Sequence, residues 1–209
     1  MNNYSAGNYT QARNMTAFFM RYYKKTNVLL CWLFFVLFTV PLVWAAASSL
    51  NIKTAELVAE DEVYVLNADF DLNLSGAVEE AVNKGVPLTF LIEFQITSPR
   101  RYWFDDEIVT ATNIVTISYH ALSRQYLVNR DNHQQSFASL QEAKVEFSHL
   151  REWQVLEKNL LIKGENYQAA LRVRLDQSKL PKPLQVDALG SEDWNIVSER
   201  YRWTPALVF

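Results

Sequence analysis

Three histidines, His120, His133 and His149, and a single cysteine, Cys31, are the obvious sources of nucleophilic, acid-base or metal chemistry in this 209-residue sequence. A serine-histidine-acid relay can be drawn from Ser118 or Ser123, His120, and Asp105 or Asp106. In such a relay the imidazole takes the hydroxyl proton and the carboxylate orients the ring, so geometry defines it and the sequence supplies only its parts. The histidines fall at a strand end, in a polar loop and at a helix end, with no ligand spacing and no cysteine nearby, so no metal site is expected. The acidic runs Glu60-Asp61-Glu62 and Asp105-Asp106-Glu107 lack the alternating ligands and glycine of a calcium loop and read as solvated turns. Gly76, Gly85, Gly164 and Gly190 are isolated, which excludes a phosphate-binding loop and a dinucleotide fingerprint. G-x-S-x-G and H-E-x-x-H are both absent, and no cofactor is expected.

Two clusters of arginine and aromatic residues are more informative: RRYWFDD from Arg100 to Asp106, and RYRW from Arg200 to Trp203. A guanidinium over an aromatic ring grips carboxylates, phosphates or sugars, and arginine with Trp and Tyr also anchors protein interfaces. Arg101, Trp103, Arg202 and Trp203 are therefore the candidate binding residues. The structural alternative is that Trp103, Phe104 and Trp203 close the ends of a core while the arginines pair with Asp105, Asp106 or Glu199.

The location of these groups follows from the stretch NVLLCWLFFVLFTVPLVWAAASS, Asn27 to Ser49. Arg21, Lys24 and Lys25 precede it, and no acidic residue occurs before Ser49, a basic flank that stays in the cytoplasm. Pro41 and then Ala45, Ala46 and Ala47 follow the apolar run, the pattern a signal peptidase reads. Cleavage after Ala47 or Ala45 is expected. The alternative is an uncleaved anchor touching the membrane through residues 28–44, since the run approaches the ~20 residues of a spanning helix. On this reading residues 1–26 are a polar, basic leader, 27–47 the signal or anchor, and 48–209 one domain, periplasmic or tethered to the cytoplasmic membrane and facing the periplasm. From Ser48 onward 16 basic residues stand against 23 acidic ones, a net charge of −7 that does not suit a nucleic-acid backbone. That part has no cysteine and folds without disulfides.

Period-two alternation dominates the elements that must position the candidates. In VYVLNADFDLNL, Tyr64, Leu66, Ala68, Phe70, Leu72 and Leu74 share one face, and NIKTAELV is the expected hairpin partner across Glu60 to Glu62. PLTFLIEFQIT and YQAALRVRLD alternate likewise. Ile114–His120 and Gln125–Arg130 read as two strands turned through Ala121 to Arg124, and DWNIVSERYRW holds a last strand. Ser75 is an expected N-cap with Gly85 beyond the helix end, and Ser139 with Glu142 forms a capping box before a helix at about Leu140 to Leu150. Pro181 and Pro183 exclude a central strand between the last two. The sum is a mainly β fold, an antiparallel β-sandwich with two short helical insertions, preceded by an N-terminal hydrophobic helix.

Taken together, KGVPLTFLIEFQI, PRRYWFDDE, ISYHALSRQYLV, QQSFASLQEA, LPKPLQVDAL and DWNIVSERYRW resemble the Gram-negative exported proteins grouped as domain of unknown function 4390. Some of these are labelled proline-rich signal peptide proteins. The resemblance covers about Ile52 to Thr204. It implies a signal or anchor segment and a β-rich domain, and it assigns no activity, cofactor or site residue. Members encoded beside a sensor kinase and its response regulator imply an accessory role in envelope signalling. With six prolines in the chain, the proline-rich label fits this sequence poorly. The expected function is a non-enzymatic binding or adaptor domain with an envelope or membrane partner such as a sensor kinase. The alternative is an envelope hydrolase or carbohydrate-active protein using His120 with an acidic partner.

Overall fold

A computed structural model of the chain describes residues 32, 47–102, 104–131 and 133–208. The leader, nearly all of the apolar segment and Ala45 lie outside these residues, as do the hydrophobic helix expected there and Trp103. Ala47 is exposed coil just ahead of the first strand. Among the described residues no helix is long and apolar enough to cross a membrane.

The alternating segments form β1 (Ser49–Glu60), β2 (Val63–Asn73), β3 (Leu88–Ser98), β4 (Asp106–His120), β5 (Gln125–Arg130), β6 (His133–Phe137), β7 (His149–Glu157), β8 (Gln168–Leu175) and β9 (Tyr201–Trp203). Every pairing is antiparallel, in a three-stranded sheet ordered β1-β2-β7 and a six-stranded sheet ordered β6-β5-β4-β3-β8-β9. The even-numbered residues of β3, Leu88 to Ile96, are wholly buried and pack into one core with Leu66, Ala68 and Phe70 of β2 and Ala169, Leu171 and Val173 of β8. This is an antiparallel β-sandwich, and each large apolar side chain so buried contributes about 1.5–3 kcal/mol.

Three short helices decorate it rather than two: α1 (Gly76–Asn83), α2 (Leu140–Phe147) and α3 (Lys182–Ala188). Ser75 caps α1, its hydroxyl accepting the Val78 N–H, and Gly85 takes φ +93° past the helix end. Ser139 caps α2, while Glu142 reaches back to the Ala138 N–H. Phe147 at the end of α2 sits 4.6 Å from the Phe90 ring and 6.0 Å from the Phe70 ring, joining the inner faces of the two sheets. The third helix lies within the proline segment, where Pro183 falls at a first-turn position whose missing N–H costs the helix nothing.

Other expectations are corrected. β4 begins at Asp106, so Asp106 and Glu107 are strand residues rather than turn residues. His133 opens strand β6 instead of lying in a polar loop. α2 stops at Phe147, and His149, expected at a helix end, starts β7.

Candidate functional site

The loop between β3 and β4 carries the first arginine-aromatic cluster. Tyr102 and Phe104 are 88% and 87% exposed, so Phe104 does not close the core. The Arg101 guanidinium carbon lies 5.9 Å from the centre of the Tyr102 ring, while Arg100 pairs with Asp106 and donates its N–H to Asp105 Oδ1. The second cluster is divided by the strand that holds it, because consecutive strand residues face opposite sides. On β9, Arg202 stands opposite Ala170 and is exposed, whereas Trp203 stands opposite Ala169. The Trp203 ring turns inward, 6.2 Å from Phe94 and 5.6 Å from Tyr201. Register places both clusters at one end of the six-stranded sheet, since Thr97 pairs with Gln168 and Ala169 with Trp203. No hydrogen bond or ion pair joins them among the described residues.

Beside Arg202 the outward face dips. Ala170 is a small residue among long ones, and around it Glu93, Gln95, Glu107, Thr110, Arg172 and Arg200 border a depression of about 230 Å³. The carboxylates here are already engaged. Arg174 donates to Glu93 Oε1 through Nε at 3.0 Å and Nη2 at 2.9 Å, and Glu107 accepts from Gln95 Nε2 at 3.1 Å and Thr110 Oγ1 at 2.6 Å.

A family model described as a domain of unknown function, DUF4390, matches residues 47–204. The chain belongs to the DUF4390 family. No curated protein and no solved structure matches it at a significant level.

The relay drawn around His120 is not assembled in this DUF4390 domain. His120 and Asp106 are the two ends of the 15-residue strand β4, roughly 45 Å apart at the strand rise. His120 Nδ1 instead lies 2.9 Å from Ser123 Oγ within the β4–β5 turn, and no carboxylate bonds it among the described residues. His133 is exposed at the start of β6, and no group of three or more potential metal ligands occurs among the described residues.

The polar network that sequence reasoning missed lies on the outward face of the three-stranded sheet. Asp69 accepts from His149 Nδ1 at 2.8 Å, Arg151 Nη2 at 2.5 Å and Thr54 Oγ1 at 3.0 Å. These bonds, led by His149, bring the Asp69 carboxyl from 3.8 down to about 2. Its β7 partners are 80 and 82 residues away in sequence, so no local signal joins them. Arg130 was also missed. It donates to the Phe147 carbonyl at the end of α2 and to the His149 carbonyl at the start of β7, and burial lowers its pKa.

Proposed function

We propose that this DUF4390 domain is a non-enzymatic binding or adaptor module of the cell envelope. It works at the outer side of the cytoplasmic membrane and meets a membrane protein, a sensor kinase being the candidate partner. The observation that carries the reading is the β3–β4 loop, which holds Tyr102 and Phe104 almost fully in solvent with Arg101 against the Tyr102 ring. Exposed aromatics beside arginine are the composition of interface anchors, and the outward Arg202 lies at the same end of the sheet. The basic flank and apolar run ahead of Ser49 support an envelope location.

The test is in-cell crosslinking of a C-terminally tagged full chain, followed by affinity capture and mass spectrometry, with the N-terminus of the captured protein read in the same preparation. The native chain is expected to recover a membrane protein reproducibly. Arg101→Glu with Tyr102→Ala, or Arg202→Glu, should cut that recovery by about tenfold or more while leaving the melting temperature within a degree or two. Undiminished recovery from both variants would reject this surface, and recovery of the bare protein alone would reject the adaptor.

A further inference from the structure

The depression on the outward face of the six-stranded sheet contains a charge arrangement that the domain leaves unresolved. Leu171 of β8 pairs with Tyr201, Arg172 follows Leu171 and Arg200 immediately precedes β9, and both arginines border the same depression. Two like charges bordering one small depression repel. Glu93 of β3 is the direct register partner of Arg172 and would be the natural neutralising partner, yet it bonds Arg174. Glu107 is held by Gln95 and Thr110. Among the described residues neither Arg172 nor Arg200 forms an ion pair or a side-chain hydrogen bond, although Arg172 is partly buried and acidic residues outnumber basic ones in the chain.

We infer that Arg172 and Arg200 form an oxyanion site that takes a carboxylate or phosphate group of a small molecule, seated over Ala170. Two arginines bordering one shallow dip suit the paired oxygens of such a group, which would offset their like charge with charge-assisted bonds. The volume of about 230 Å³ is below the ~300 Å³ at which drug-sized pockets begin, so a compact anion fits better than a large ligand. Thr112 lies beyond Glu93 in the same cross-strand row and lines the opposite wall, where its hydroxyl can donate to the anion. The site stands whether or not the loop at Tyr102 binds a protein.

Thermal unfolding of the full chain in detergent tests it, with sodium phosphate and sodium succinate each titrated against sodium chloride at matched ionic strength. A saturable rise in melting temperature is expected, about 3–6 °C at ten times the dissociation constant. A response to phosphate alone, to succinate alone or to both assigns the group. Arg200→Gln, a change at an exposed position, and Arg172→Gln should each abolish the rise. Arg124→Gln in the β4–β5 turn should keep it. The inference is overturned if neither anion stabilises the native chain beyond chloride, or if the rise survives in Arg200→Gln.

Discussion

Asp69 shows how much a single side chain contributes when its partners come from both neighbouring strands. Thr54 of β1 and His149 and Arg151 of β7 converge on its two oxygens, and the carboxyl titrates near 2. A depressed carboxylate stabilises the fold fully above its unfolded value, about pH 4, and loses that contribution as the pH falls from there toward 2. The shift alone would correspond to about 2.4 kcal/mol, but the side chain is 34% exposed, and solvent screening reduces this to ~1 kcal/mol. Asp69→Asn should therefore lower stability by ~1 kcal/mol at pH 7 and flatten the loss between pH 4 and 2, as measured by urea unfolding across that range. An equally steep acid loss in the variant would assign it to other groups. The contrast is Arg100 with Asp106, an exposed pair joined by one loop, whose removal should shift stability by no more than about 0.5 kcal/mol.

That network exists because β7 is irregular. Leu66 pairs with Trp153 but Ala68 with Leu150, so Arg151 and Glu152 together oppose Asn67. The extra residue turns Arg151 toward Asp69 and puts Glu152 at φ +52°, a conformation that a residue with a Cβ adopts at a cost. Asn67 Oδ1 compensates by accepting the Glu152 N–H at 2.9 Å. Asn67→Ala should cost ~1 kcal/mol and Glu152→Gly should gain up to ~1 kcal/mol in chemical denaturation. A gain from Asn67→Ala would mean the bulge is not held this way. The same irregularity hid β7 in the sequence: its buried positions, Leu150, Val155 and Leu156, follow no period of two. β2, β3 and β8 were legible because they lie inside their sheets with one face buried throughout. β6 was not, since its residues are nearly all exposed and an edge strand needs no apolar face. The site was half legible for a related reason. RYRW marks a real concentration of charge and rings, but only the folded chain reveals that Arg200 borders the same depression as Arg172 while Trp203 turns inward.

At the scale of the whole domain, the two sheets need closing along the side where β9, only three residues long, is the edge strand. The chain does this itself. Beyond Trp203 it leaves the six-stranded sheet, buries Pro205, packs Leu207 on the core and reaches the three-stranded sheet at Tyr64. The Tyr64 hydroxyl donates to the Val208 carbonyl at 2.6 Å and accepts the Val208 N–H at 2.9 Å, so one buried phenol of β2 holds the segment by both of its backbone groups. With only three residues, β9 offers little backbone edge for another strand to pair with. Tyr64→Phe keeps the ring and its packing while removing both bonds. It should lower the melting temperature by about 2–4 °C, the shift expected for ~1 kcal/mol in a domain of this size. Hydrogen exchange at Val208 should rise to the rate of an unprotected amide, while the β3 amides stay protected. Unchanged exchange at Val208 would mean that Pro205 and Leu207 hold the tail without the phenol.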